Sequence, residues 1–250
     1  LNGSKQFITN SAWAAVFTIF AQVDGDKFTA FLVDRDTPGL EIGPEEDKLG
    51  LKGSSTCALT LRDMKVPVDH VLGTIGEGHK IALNALNIGR LNMAFSSIKV
   101  SSMAMREAAV YATTREQFGK PIAEFGLIQH KLGEMAARIY AGDAMTYRIA
   151  GMIEEHIQAN TDTSLSYYTK IAQAYAELSI ECALAKVMGS EAVAWIIDEG
   201  LQVFGGYGFI EEYPLARMSR DARILRLYEG TSEICRLHAI GTILKRVAKG

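Results

Sequence analysis

Apolar and polar residues alternate in short, branched runs over the first 72 positions, and near Gly76 the pattern switches to apolar recurrence every third or fourth residue. The first regime predicts strands: Gln6-Phe7-Ile8-Thr9, then 15–21, 28–33 and 57–61, with Asp24-Gly25-Asp26 and Thr37-Pro38-Gly39 as turns. The second predicts helices. Ile128, Leu132, Met135, Ile139, Met145, Ile149 and Met152 step along the chain as one buried helical stripe. The pattern predicts long helices over 76–117, 124–157, 163–203 and 231–248, and a short one over 213–219. Pro121 and Pro214 both fall at boundaries between them. Long helices with short connections pack antiparallel. The expected fold class is therefore α+β: a partial β-domain over 1–72 and an antiparallel helical bundle over 76–250. The polar run Gln158-Ala159-Asn160-Thr161-Asp162-Thr163 reads as a connection.

Composition narrows the class. The chain has 250 residues, 48% of them hydrophobic, enough for one large core or two modest ones. Its 26 basic and 29 acidic side chains leave a net charge of −3 with no basic block, which argues against nucleic acid as a partner. Cys57, Cys182 and Cys235 are few, odd in number and widely spaced, as free thiols of a reducing compartment are. The five histidines form no metal-ligand spacing, so no metal is expected. No apolar run reaches the roughly 20 residues of a spanning helix, and no signal-type segment opens the chain. A soluble intracellular protein is expected, of the bacterial cytoplasm or the mitochondrial matrix. A start at Leu1, inside a strand-like pattern, suggests a segment of something longer.

Four stretches could carry chemistry. Tyr228-Glu229-Gly230-Thr231 places a carboxylate on a turn before a helix, among Ile224, Leu225, Leu227 and Ile234 and with no facing cation at short spacing. Partial desolvation there would raise its pKa, which suits a base for a weakly acidic C–H. The plainer reading is also open, because Thr231 and Ser232 are ordinary N-cap residues and Glu233 favours the positive end of the helix dipole. Arg115-Glu116-Gln117-Phe118-Gly119 before Pro121 is a helix stop, and one that also presents a guanidinium suited to phosphate. Gln202-Val203-Phe204-Gly205-Gly206-Tyr207-Gly208 reads as a glycine-terminated helix that would let a pyrophosphate approach closely. It follows a helix and is not the Rossmann fingerprint. Arg90, inside an apolar helix, either reaches solvent along its stem or binds an anion. Gly73-Thr74-Ile75-Gly76-Glu77-Gly78 reads as a hinge.

In this order and spacing the segments resemble the C-terminal two-thirds of an acyl-CoA dehydrogenase, a flavoprotein of fatty-acid or branched-chain oxidation. The likeness runs over essentially the whole chain: Lys48-Leu49-Gly50 to Ser54-Ser55-Thr56, Val66-Pro67 to Val71-Leu72-Gly73, Arg115-x-Gln117-Phe118-Gly119, Gly205-Gly206, Arg220-Asp221-Ala222-Arg223-Ile224 and Tyr228-Glu229-Gly230-Thr231. Phe125-Gly126-Leu127-Ile128-Gln129 and the surroundings of Arg90 lean toward the very-long-chain branch.

The resemblance implies FAD as cofactor, an acyl-CoA substrate and an electron-transferring flavoprotein as electron acceptor. It implies Glu229 as the base that takes the α-proton, with its N–H on the thioester carbonyl. Asn87, Arg90, Tyr228 and Gly230 would line the substrate site. Phe7, Ile8 and Thr9 would stand beside the flavin, where Phe7 departs from the usual tryptophan. Thr231, Ser232 and Glu233 would touch FAD near the active site. Arg115, Gln117, Phe118, Phe125, Gln202, Val203, Gly205 and Gly206 would reach the FAD of a neighbouring subunit, so the resemblance implies a homodimer or homotetramer. Some relatives carry the base one residue before the arginine on the first long helix; here that residue is Gly89, which cannot take a proton. The family's N-terminal helical domain and early β segment are not among these 250 residues, so this stretch alone is expected to bind FAD poorly. An acyl-CoA oxidase, and a non-catalytic assembly module on the same scaffold, are the alternatives.

Overall fold

The computed structural model describes residues 1–248 and divides into two compact units, Leu1–Ala85 and Leu86–Gly250. In the first, strands β1 (Gly3–Thr9), β5 (Thr56–Leu61) and β4 (Leu40–Glu45) form one antiparallel sheet. β2 (Val16–Val23), β3 (Lys27–Asp34) and the two-residue β6 (Val71–Leu72) form the other. Phe17 and Ile19 of β2, Phe31 and Val33 of β3, and Leu59 and Leu61 of β5 meet in one core with Met64. Alternate residues of the predicted strands thus bury between the two sheets. Asp24-Gly25-Asp26 makes the β2–β3 turn, with Asp24 and Gly25 at φ 54° and 88°.

The alternation did not predict β4. Gly43 and Pro44 break its pattern, but it pairs with β5 alone, at the sheet edge and across an irregularity between Ile42 and Glu45, where a proline is tolerated.

The second unit is helical: α1 (Gly78–Thr114, beginning in the first unit), α2 (Gly126–Ala159), α3 (Tyr167–Glu177), α4 (Ser179–Phe204), α5 (Pro214–Ala222) and α6 (Ser232–Val247). The stripe predicted on α2 faces inward, with Met135 and Ile149 buried and Leu132, Ile139, Met145 and Met152 packed against the same cores. Small residues set the spacing of α1 and α4. A Cβ on Gly189 would stand 3.1 Å from the Ala94 α-carbon.

Two helix expectations need correction. The helix expected over 163–203 is two helices, broken at Leu178 (φ −91°, ψ 25°), whose side chain buries with Ile149, Ile153, Ala174 and Cys182. Tertiary packing makes that break without any proline or glycine. The helix expected to reach 117 stops at Thr114; β7 (Glu116–Gln117) then pairs with β8 (Lys120–Pro121) in a tight hairpin. No described helix is long and apolar enough to cross a membrane.

Candidate active site

Glu229 lies in the turn between α5 and α6, and it is one of the few non-glycine residues with positive φ, 57°, followed by Gly230 at 89°. A left-handed conformation costs a side-chain-bearing residue roughly 1–2 kcal/mol and persists where its surroundings over-determine it. Here they do. The Arg90 Nε, from α1, donates to the Glu229 carbonyl at 3.1 Å, and the Lys186 Nζ, from α4, donates to the Gly230 carbonyl at 2.7 Å. Arg90 Nη1 donates in turn to Asn87 Oδ1 at 3.3 Å, and Asn87 Nδ2 to the Tyr175 carbonyl of α3 at 3.3 Å. The turn is therefore tied to three helices through side chains with almost no contact with water: Asn87 is 3% exposed, Arg90 4% and Lys186 0%. The sequence reading that sent Arg90 to solvent is overturned by that burial.

The carboxylate itself rests on α1. A Cβ built on Gly89 would lie 2.8 Å from Glu229 Oε2 and 3.0 Å from its Cδ, so the glycine is what leaves room for the acid. Burial pushes the Glu229 carboxyl above the usual range, while Arg90 and Lys186 pull it back down. No facing cation was visible at short sequence spacing; the fold supplies two, from 139 and 43 residues upstream. Burial likewise raises the half-exposed Tyr228 phenol, with the Glu229 charge adding to it.

The capping reading of the next residues also holds: Thr231 Oγ1 accepts from the Ile234 N–H at 3.3 Å and starts α6. The Glu233 carboxyl is held low by its own backbone N–H and by the Thr231 side chain. Ser232 is buried, with a hydroxyl that lacks a protein partner.

A second cluster assembles around the hairpin. Phe118 and Gly119 are its two central residues, at φ 54° and 84° between paired Gln117 and Lys120, the signature of a type I′ turn. Phenylalanine is a poor choice there, yet its ring stands 93% exposed, 6.1 Å from Phe125, and Lys120 sits over the Phe125 ring.

Beside the hairpin, Arg115, Gln117, Val203, Gly205 and Gly206 line an open cleft of about 550 Å³. Gly205 has φ 59°, and nothing within 4 Å would meet a Cβ on either glycine, so the backbone there is open to a ligand. Tyr111, stacked on Phe204 at 4.1 Å, and Tyr207, carrying the Arg115 guanidinium at 5.5 Å, complete its walls. Gln202 lies exposed at the end of α4, outside the cleft lining.

The structure thus gathers Asn87, Arg90, Tyr228, Glu229 and Gly230 into one site, and Arg115, Gln117, Val203, Gly205 and Gly206 into another. Phe7, Ile8 and Thr9 belong to the first unit, at an irregularity in the β1–β5 pairing, with Phe7 at φ 56° and largely exposed. Sequence reasoning missed Lys186, Tyr111 and Tyr207. Lys186 had one available mark, a lone lysine in the apolar run from Cys182 to Met188.

Comparison with known proteins gives the family. Residues 1–64 match the family model described as acyl-CoA dehydrogenase, middle domain, and residues 76–244 the one described as acyl-CoA dehydrogenase, C-terminal domain. A probable acyl-CoA dehydrogenase of Bacillus subtilis is 50% identical over all 250 residues, which are 42% of its length. The crystal structure of an acyl-CoA dehydrogenase complexed with FAD from Bacillus anthracis superposes with a TM-score of 0.95 at 46% identity, over 100% of this chain and 43% of that one. Butyryl-CoA dehydrogenase of Megasphaera elsdenii gives a TM-score of 0.85 at 36% identity, over 98% of this chain and 60% of that one. The chain therefore spans less than two thirds of each of these relatives. Two family models in succession cover most of its length, and the chain belongs to the acyl-CoA dehydrogenase family.

Proposed function

We propose that the protein of which this chain is a part is an FAD-dependent acyl-CoA dehydrogenase, oxidising an acyl-CoA thioester to the trans-2-enoyl-CoA with Glu229 as base. One observation carries the reading: a half-buried carboxylate with a raised pKa sits on a strained turn whose two carbonyls are each held by a buried cation. Such strain and burial make sense as preorganisation of a base.

The residues present fit the cofactor. Arg115 and Gln117 offer donors to a pyrophosphate, the bare Gly205–Gly206 backbone admits it, and Tyr111 and Tyr207 offer faces for a flat ring. Phe118 and Phe125 extend that surface, and Gln202 and Val203 place the glycines at the end of α4. Thr231, Ser232 and Glu233 would meet the cofactor near the base, as Phe7, Ile8 and Thr9 would from the β-domain. When bound, FAD would supply the acceptor for the β-hydrogen and its electron pair. Glu229 receives the α-proton on its carboxylate, and the electrons of the broken α-C–H bond close the new double bond. Its N–H polarises the thioester carbonyl and so acidifies that carbon. Tyr228 and Gly230 flank the reacting atoms, while Arg90 and Asn87 serve the site through the hydrogen bonds that fix its turn.

Two further parts of the reading rest on surfaces. The exposed Phe118 ring and the apolar row Leu237, Ile240, Leu244 and Val247 on α6 favour a homodimer or homotetramer in which one subunit's cleft serves its neighbour's cofactor. Electrons then leave to an electron-transferring flavoprotein. We place the division between β-domain and bundle at the Gly73–Gly76 link, giving 1–72 and 76–250.

Glu229→Gln in the full-length protein tests the base. Flavin content should stay at the wild-type level while reduction by acyl-CoA falls roughly 10²–10⁴-fold. Unchanged reduction would remove the assignment, and stoichiometric peroxide in place of dye reduction would redirect it to an oxidase.

A further inference from the structure

Among the described residues Lys186 is the largest side chain with no solvent exposure, and the base assignment alone gives it no task. It sits in the middle of α4, between Ala185 and Val187, in a run where every other inward position is apolar or small. Among the described residues no carboxylate lies within ion-pair distance of its ammonium, whose one recorded hydrogen bond goes to the Gly230 carbonyl at 2.7 Å. Burying an ammonium without a paired anion costs several kcal/mol, and an apolar side chain of equal length would fill the same space at no such cost. A single neutral acceptor does not offset that penalty. The explanation has to lie in what the acceptor belongs to.

That acceptor is the carbonyl immediately after Glu229. The neighbouring carbonyl, of Glu229 itself, is taken by Arg90, so the two left-handed residues present consecutive carbonyls to two cations from different helices. Cys235 of α6 closes the third side, its thiol 3.5 Å from the Gly230 oxygen.

We infer that Lys186 is a positioning residue for Glu229: its ammonium clamps the Gly230 carbonyl, keeping the 229–230 turn left-handed and the carboxylate over Gly89, and its charge favours the ionised, proton-accepting form. The inference rests on Glu229 being the base. The charged and titratable groups around the carboxylate and the ammonium are Arg90 from α1, Glu233 and Cys235 from α6, and Tyr228 beside Glu229, while Cys182 from α4, with Glu181 beside it, and His238 from α6 interact with Arg90 in turn. Burial raises the Glu229 carboxyl, and of these groups Arg90 and Lys186 bring it down. Burial also lowers the Lys186 ammonium below the ordinary lysine value.

The test compares full-length wild type, Lys186→Gln and Lys186→Arg. Lys186→Gln loses the charge, and its amide ends one bond short of the reach that brings the ammonium to the Gly230 carbonyl. It should hold KM for acyl-CoA within about twofold, lower kcat about tenfold, and move the acid limb of kcat/KM upward by about half a pH unit or more. Lys186→Arg retains the charge and should keep the wild-type limb. Hydrogen exchange read on residues 228–231 should rise about tenfold in Lys186→Gln, because the turn has lost its clamp. A residue that only packs would lower the melting temperature and leave the acid limb and the local exchange where they were, and that result would overturn the inference. Should Lys186→Gln fail to accumulate, a folded Lys186→Arg with a displaced limb overturns it equally. An active Glu229→Gln removes the base assignment itself. An inactive Glu229→Gln alongside an unmoved Lys186→Gln limb removes the role of Lys186 alone.

Discussion

Gly89 offers the sharpest probe of the site, because the three atoms that one added methyl group would meet most closely all belong to the Glu229 carboxylate. The Cβ of Gly89→Ala would stand 2.8 Å from Glu229 Oε2, 3.0 Å from Cδ and 3.3 Å from Oε1, whereas ordinary contact begins near 3.4 Å. Relief requires the carboxylate to withdraw by about half an ångström, a movement open to it because it is the far end of a flexible side chain. Misplacing a reacting group by about 1 Å can cost about 10²-fold, so half that displacement should lower the rate of flavin reduction about tenfold. The backbone effect runs the opposite way, since alanine inside α1 is favoured over glycine by up to about 1 kcal/mol. The variant should therefore bind flavin and melt no lower than wild type while losing about a decade in reduction rate, read by stopped-flow absorbance with saturating acyl-CoA. A stable Gly89→Ala reducing at the wild-type rate would refute the placement of the carboxylate over that helix.

Gly189→Ala should behave otherwise, because its Cβ meets the Ala94 α-carbon at 3.1 Å and the Ala94 carbonyl at 3.2 Å, backbone atoms with no room to retreat. A loss of about 1–2 kcal/mol in denaturant unfolding, with kcat little changed in the folded fraction, is expected. Arg115→Gln should weaken FAD retention roughly tenfold in equilibrium dialysis without moving the pH profile, since it removes a charged donor from the cleft and not from the base. Cys182 is fully buried and its thiol is pushed up to about 12 by burial first and the Glu181 charge second; iodoacetamide at pH 8 should leave it intact in the native protein and alkylate it after unfolding. Glu229→Gln should be more stable than wild type at neutral pH. The folded carboxyl is raised, so the unfolded chain ionises first as pH rises, and stability present below the ordinary carboxylate value is lost through the folded one. Equal melting of the two proteins at pH 4 and divergence at pH 7 would show it.

What could be read in the sequence follows from the range of each interaction. The α2 stripe and the β2–β3 hairpin were legible because period and turn chemistry are local, and both elements bury the predicted faces. The break at Leu178 was not, because no residue there disfavours helix; it exists only because Leu178 finds a buried place against α2. The 116–121 hairpin escaped because its strands are two residues long and its turn is Phe-Gly, which carries none of the usual preference. In the site, Glu229 was legible from the turn before its helix, but its left-handed backbone and its two cations were not. Arg90 and Lys186 stand on separate helices, and only the packing of α1, α4 and α6 brings them to consecutive carbonyls.

The arrangement around Glu229 violates several local rules at once: a charged residue in the left-handed region, a buried unpaired ammonium, and a carboxyl pressed toward neutrality beside a mid-helix glycine. Each lowers stability, and each could be relieved by one substitution that leaves the fold alone. Elsewhere in the bundle local preference and packing agree, as on α2 and at the Thr231 cap. Concentrated in four residues and their partners, such conflicts are what the proposed base would require, stability given up for chemistry. They also explain why the clamps come from α1 and α4. A strained turn held by its own neighbours would relax between turnovers, whereas one fixed to two packed helices is ready before substrate arrives.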